Sequence, residues 1–276
     1  MIQAAFLDVD GTLLKPNHEI SPKNLITIQT VQDHHHVSVF LATGRAPQDL
    51  KRYYDQLSLS TPAICMNGAY ITDFKNDKPI KEEKIPLNLV NAFKKECDQY
   101  PVALIYYHGS RWMTTETSPA VEREVQNVDN IIEIIPFKEI INDWKNKNES
   151  PHKMGVISND EKILISTCKT LQEKFQGILS IERSQSNFIE VVMPNVSKGK
   201  AIAFLLQIYP FQRENILAIG DSDNDIAMLE WVGIGIAMGN ARKYIKKISN
   251  DVTLSNLEDG VAHALEKYII SPKVIS

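Results

Sequence analysis

Carboxylates recur in this chain where short apolar runs stop. Ala4 to Leu7 leads into Asp8-Val9-Asp10-Gly11-Thr12, and Asn215 to Ile219 leads into Gly220-Asp221-Ser222-Asp223-Asn224-Asp225. Acids at i and i+2 point to one side while the backbone stays extended. Like charges so close repel, so a cation must neutralise them or one must hold a proton. A site of hard oxygens suits Mg2+, which takes one or two carboxylates, keeps waters and accepts a phosphate. A carboxyl that keeps its proton serves as a general acid. The first stretch is equally compatible with an Asp-rich turn after a strand. In the second stretch, capping a helix needs one acid, not Asp221, Asp223 and Asp225 together.

Phosphate-binding groups stand at similar positions. Val37 to Ala42 ends at Thr43-Gly44-Arg45, with Pro47 in the first turn of the next helix. The Thr43 hydroxyl and the amides of that turn can hold phosphate oxygens. Asn195 to Lys200 opens a further helix with Ser197 as N-cap. A lysine is unfavourable at a helix start, because the dipole there favours anions. Lys198 therefore has no local structural reason to be there and can instead meet an anion; Lys200 has the same surroundings and would project in a different direction, and the residues alone do not choose between the two. Asn67-Gly68 is a hairpin turn signal, and Asn67 is open to two readings, turn chemistry or an amide near a substrate.

These residues need elements to position them. Strands are expected at Ala4 to Asp8, Val37 to Ala42, Asn215 to Ile219, Ile234 to Met238 and Val252 to Leu254. A run from Pro62 to Ile71 is broken at Asn67-Gly68. Helices are expected from Pro22, capped by Ser21, to about His34, and over Lys198 to Tyr209, Ile226 to Trp231, Ala241 to Ile248 and Leu257 to Ile270. This alternation predicts an α/β fold: a Rossmann-like core whose parallel sheet is flanked by helices. In such a sheet Asp8, Asp10, Thr43, Lys198 and Asp221 share one edge. Carboxylates for Mg2+, a hydroxyl and amides for phosphate oxygens, and one lysine suit phosphoryl transfer.

Residues 83–192 change character. Helical patterns (Leu87 to Tyr100, Ile163 to Phe175) alternate with strands (Val102 to His108, Lys153 to Ile157, Ile189 to Val192). This predicts an α+β domain, 83–192, inserted into a core made of 1–82 and 193–276. The polar stretch 142–152 is expected to be a surface loop. Glu182 to Asn187, polar residues before the last strand, carry either binding groups or a solvated hairpin turn. The tail Ser271–Ser276 is expected to fray.

The bulk properties narrow the function. The chain has 276 residues, 43% of them hydrophobic, with net charge −4. That is an ordinary soluble composition with no basic footprint for nucleic acid. It has no apolar run long enough to span a membrane, and the N-terminus lacks a basic, signal-like start. Cys65, Cys97 and Cys168 are far apart and form no CxxC pair, which fits buried thiols in a reduced, cytoplasmic setting. His34, His35 and His36 point in different directions on a helix and make a poor common metal site.

Taken in order, D-V-D-G-T at 8–12, Thr43 in A-T-G-R, Lys198 in S-K-G and G-D-S-D-N-D at 220–225 resemble the four motifs of haloacid dehalogenase (HAD) phosphatases. N-G-A at 67–69 and A-M-G-N-A at 237–241 resemble the Cof-type branch, which carries a large cap between the second and third motifs. The resemblance implies that Asp8 is the nucleophile and Asp10 the general acid/base. Thr43 and Lys198 would hold the transferring phosphoryl group. Mg2+ would sit on Asp8, the Asp10 backbone carbonyl and Asp221, with Asn224 and Asp225 supporting the metal or Lys198. Gly44, Arg45 and Asn67 in the core, with Arg183 and Asn187 in the cap, are the further substrate-binding candidates. Asp223 falls at a variable position. The implied substrates are small phosphomonoesters, sugar phosphates first, hydrolysed by a monomer or weak homo-oligomer with no nucleic-acid or membrane partner. A phosphomutase or phosphotransferase with the same aspartyl phosphate, and a non-catalytic phosphosugar-binding protein, are the rival readings. One departure is His36, where the branch often has glycine, an easier helix C-cap.

Overall fold

The computed structural model describes residues 1–76, 78–126 and 131–272; residues 273–276 of the expected frayed tail lie outside these. The chain begins with β1 (Ala4–Leu7), α1 (Pro22–His35), β2 (Ser38–Leu41), α2 (Pro47–Gln56), β3 (Ala63–Cys65), β4 (Tyr70–Asp73) and β5 (Lys78–Glu82). It continues through α3 (Leu87–Cys97), β6 (Ala103–His108), β7 (Arg111–Thr114), α4 (Pro119–Gln126), β8 (Ile132–Ile134) and α5 (Phe137–Lys147). Then come β9 (Lys153–Ile157), α6 (Glu161–Lys174), β10 (Ser180–Gln185) and β11 (Phe188–Val192). The last part holds α7 (Lys198–Leu205), β12 (Ile216–Gly220), α8 (Ile226–Leu229), β13 (Ile234–Ala237), α9 (Lys243–Ile248), β14 (Asp251–Val252) and α10 (Gly260–Leu265). By its contacts the chain divides into two compact units. One is Met1–Arg45, Leu50–Ile80 and Ser197–Ser276; the other is Ala46–Asp49 and Lys81–Val196.

The first unit is built on a parallel sheet in the order β14-β13-β12-β1-β2. β1 lies between β12 and β2, with Ala4 opposite both Ile216 and Ser38. All four residues of β1 and all five of β12 are buried. Strands covered on both faces read as continuous apolar runs rather than alternation, which is why AAFL and ILAIG show no period of two. Phe6 and Phe40 stack across the pair at 4.5 Å between ring centroids. Because β12, β1 and β2 run in parallel, their carboxyl ends emerge at one edge. The edge extends to β3, since the Thr43 N–H donates to Ile64 O at 2.8 Å. β3 and β4 form the antiparallel hairpin that Asn67-Gly68 announces.

Helix α1 starts as its sequence dictates. Ser21 Oγ accepts from the Asn24 N–H, and Pro22 occupies the first turn. It ends on His36 in the left-handed conformation, φ 54° and ψ 32°, with the His36 N–H donating to Val31 O. A side chain with a Cβ costs roughly 1 kcal/mol there relative to glycine. His36 is exposed, so little burial is lost with its side chain. His36→Gly is expected to stabilise the first unit by up to about 1 kcal/mol, read as a melting temperature higher by roughly 2 °C.

The second unit holds a six-stranded sheet, β10-β11-β9-β6-β7-β8, antiparallel except for β7 beside β8. One face of this sheet carries Tyr106, Met154, Val156 and Ile189. Against it pack Phe93 of α3, Trp144 of α5 and Leu171 of α6. Two expectations fail here. Residues 142–147 of the expected surface loop are the second half of α5, which continues to Lys147 before a left-handed cap at Asn148. Its charged residues hide the pattern Ile140, Ile141, Trp144, whose spacing buries one helical face. Glu182 to Gln185 are not a turn but part of edge strand β10, paired with β11; only Ser186 and Asn187 turn. A solvated edge strand needs few apolar residues and so reads as loop.

Candidate active site

At the carboxyl edge of the parallel sheet, a lysine meets two carboxylates. Lys198 Nζ lies 2.6 Å from Asp8 Oδ1 and 2.6 Å from Asp225 Oδ1, and its side chain is fully buried. Lys198 opens α7 behind its Ser197 cap, and its ammonium reaches both acids from the first turn of that helix. Gly199 lets α7 pack closely on α8: a Cβ there would meet Ala227 O at 2.2 Å. Burial alone would lower the Lys198 pKa, but Asp225 and Asp8 outweigh it and hold the ammonium well above its usual range.

Asp225 is saturated. Its Oδ1 takes Lys198, and its Oδ2 accepts from the backbone N–H groups of Asp221 (2.9 Å) and Ser222 (3.0 Å). It thereby holds the acidic turn after β12 in shape. Asp8 is different. Its Oδ2 is buried and accepts from no donor among the described residues. Asp8, Asp221 and Asp225 each offer an oxygen within 4.8 Å of the others. Burial first, then the charge of Asp225, raises the Asp8 pKa well above the carboxylate range. The same causes in the same order push Asp221 up to about 7. Three carboxylates against one ammonium leave two negative charges to neutralise. That is the charge of one divalent cation, and the bare Asp8 Oδ2 beside Asp221 is where hard oxygens are available to it. The residues therefore fit such a cation.

Asp221 is held from two sides. Thr12 Oγ1 donates to its Oδ1 at 3.0 Å, and Asn240 Nδ2 donates to its Oδ2 at 3.3 Å. Gly11, at φ +80°, leaves room for it; a Cβ there would lie 2.4 Å from Asp221 Oδ2. Asp10 stands apart from the acidic cluster. Its carboxylate is half-exposed and forms a bidentate pair with Arg45, both contacts at 2.7 Å. The chain leaves β1 at Leu7 and turns, so the extended geometry that would align Asp8 with Asp10 is absent.

Thr43 is buried, and its Oγ1 accepts from the Arg45 N–H at 3.1 Å across Gly44. Asn67 is nearby through its backbone, whose N–H donates to Thr43 O at 2.9 Å. Met66, Asn67 and Gly68 are all left-handed, with φ of 49°, 57° and 104°. Such backbone costs about 1–3 kcal/mol per non-glycine residue and persists only when its surroundings fix it. Here the turn delivers Asn67 Oδ1 to Asn224 Nδ2 at 3.0 Å. Asn67 is thus both a turn residue and part of this edge. Arg183 and Asn187 lie in the second unit, where Arg183 donates to Glu161 at 3.1 Å and Asn187 O accepts from the Ser158 N–H. Asp223 is not in the acidic cluster and pairs with Arg242 and Tyr244.

A family model for haloacid dehalogenase-like hydrolases matches residues 5–265. The chain belongs to the haloacid dehalogenase-like hydrolases. A Haemophilus influenzae protein with a provisional phosphatase name is 34% identical over 274 residues, covering 97% of this chain and 98% of its own. The 5-amino-6-(5-phospho-D-ribitylamino)uracil phosphatase of Bacillus subtilis is 28% identical, covering 95% and 96%. Among solved structures, a HAD-like hydrolase from Bacteroides thetaiotaomicron has a TM-score of 0.84 at 28% identity, covering 96% of this chain and 99% of its own. This HAD chain is therefore an enzyme of phosphatase type. Its motifs meet within its first unit, and no helix among the described residues is long and apolar enough to cross a membrane. Thr12 and Asn240 had no assigned role in the sequence, although both fall in family-like stretches, D-V-D-G-T and A-M-G-N-A.

Proposed function

We propose that this HAD enzyme is a Mg2+-dependent phosphatase that hydrolyses small phosphomonoesters through an aspartyl phosphate on Asp8. The observation that carries the reading is the bare, buried Asp8 Oδ2 in a site with two surplus negative charges. Asp8 and Asp221, with the Asp10 backbone carbonyl, would hold Mg2+. Bound there, it supplies charge neutralisation between the substrate phosphate and Asp8. Lys198 holds Asp8 through Oδ1 and so fixes the orientation of the carboxylate for attack. Attack of Asp8 forms the bond to phosphorus as the bond to the leaving oxygen breaks. Asp10 gives that oxygen a proton and then, as a carboxylate, takes one from water for hydrolysis of the acyl phosphate. To do so it must exchange its Arg45 partner for the leaving group. Thr43 and the Gly44–Arg45 turn hold phosphate oxygens.

Residues 83–192 act in this reading as the inserted cap that sets selectivity, around a core of 1–82 and 193–276. Arg183 and Asn187 are its candidate substrate contacts, and Arg183 must then give up Glu161. Sugar and polyol phosphates are the favoured substrates. Support comes from the Bacillus subtilis relative, whose named substrate carries its phosphate on a ribityl chain. Three buried free thiols suit a reduced, cytoplasmic setting.

The test is a phosphate-release screen over sugar phosphates, nucleotides and cofactor phosphates, with Mg2+ and with chelator. Release from one or more sugar or polyol phosphates is expected, and its loss on chelation. Undiminished release in chelator removes the cation from the reading, and activity confined to nucleotides removes the sugar preference.

A further inference from the structure

Asn240 follows β13 in the turn Met238-Gly239-Asn240, and its side chain is exposed. Yet both ends of its amide are used. Nδ2 donates to Gly11 O at 2.8 Å and to Asp221 Oδ2 at 3.3 Å, while Oδ1 accepts from the Asn256 N–H at 3.1 Å. With two acceptors on one side and a donor on the other, only one amide orientation satisfies all three. The turn itself is fixed from behind. The Met238 N–H donates to Gly220 O, and the Gly239 N–H to Leu254 O, both at 2.9 Å. Asn256 in turn donates from Nδ2 to Leu14 O at 2.8 Å. One side chain therefore ties the turn after β1 to the turn after β12, through the carboxylate of Asp221.

We propose that Asn240 is a positioning residue for the divalent cation, orienting Asp221 as a ligand together with Thr12. This rests on the reading that Asp8 and Asp221 hold that cation. Thr12 fixes Oδ1 and Asn240 fixes Oδ2, so the carboxylate plane cannot turn freely. Each acceptor oxygen keeps a second lone pair for the ion. Partners in the outer shell of a metal site orient its ligands, and their loss typically weakens binding about 10- to 100-fold. Because Asn240 is exposed, its hydrogen bonds contribute little to the fold, and an exposed substitution usually shifts stability by less than about 0.5 kcal/mol.

The experiment is calorimetric titration of the full chain with Mn2+, without substrate, for the parent and Asn240→Ala, alongside melting of both in chelator. The parent is expected to bind Mn2+, and the variant roughly 10-fold or more weakly, with the melting temperature in chelator nearly unchanged. Equal Mn2+ affinity overturns the role of Asn240 and leaves the proposed function standing. A large fall in the chelator melting temperature also overturns it, by making Asn240 a contact that holds the fold. A parent that binds no Mn2+ removes the cation site itself, and the proposed function with it.

Discussion

Lys198→Met is expected to destabilise the protein by about 3–5 kcal/mol near pH 7.5 and to slow phosphate release by roughly 100-fold or more. The side chain is the sole cation bonded to both Asp8 and Asp225 among the described residues, at 2.6 Å from each. Methionine fills similar volume but leaves two buried carboxylates facing each other without a counter-ion. Removing one partner of a buried pair costs more than the pair ever contributed, because the charge left behind cannot reach water. The pH dependence has a definite sign. A carboxylate raised above its unfolded pKa binds its proton more readily in the folded state, so stability falls as pH rises through the gap. Loss of the ammonium widens that gap. The variant is therefore expected to recover part of its stability between about pH 7.5 and pH 5. Denaturant unfolding at both pH values checks this. A variant as stable as the parent at both would mean that Lys198 is not the counter-ion of this cluster.

How legible this site was depended on where its parts lie. The acids, Thr43 and Lys198 could be found because each follows a short apolar run or begins a helix, and parallel strands bring such positions to one edge. Thr12 and Asn240 could not be assigned in the same way. Their role is a contact with residues 209 and 19 positions away, and nothing in their local types announces it. The carboxylate of Asp10 was expected beside Asp8 from strand alternation. The strand ends at Leu7, and the turn gives Asp10 to Arg45 instead. In the second unit the strands buried between neighbours were legible, as in Lys153 to Ile157. The edges were not: β10 is polar, β8 has three residues, and α5 hides its apolar face among charges. Sequence periodicity reports burial, and where an element is half-solvated there is little period to read.

Asp8→Asn is expected to lower phosphate release by roughly 1,000-fold or more, as loss of a nucleophile does. Unlike Lys198→Met, it should leave the fold intact. The amide oxygen can still accept from Lys198, and the amide N–H2 would face Asp221 in place of a second negative charge. Relief of that repulsion makes the metal-free variant at least as stable as the parent. Cation binding should weaken, since a charged ligand becomes neutral. Loss of activity together with retained stability separates chemistry from folding.

The decisive measurement is release of phosphate from p-nitrophenyl phosphate by the parent and by Asp8→Asn, each with Mg2+ and with chelator. The parent is expected to release phosphate with Mg2+ and not with chelator, and the variant to show no release above background in either. Parent-like release by Asp8→Asn would contradict a phosphoryl group passing through Asp8.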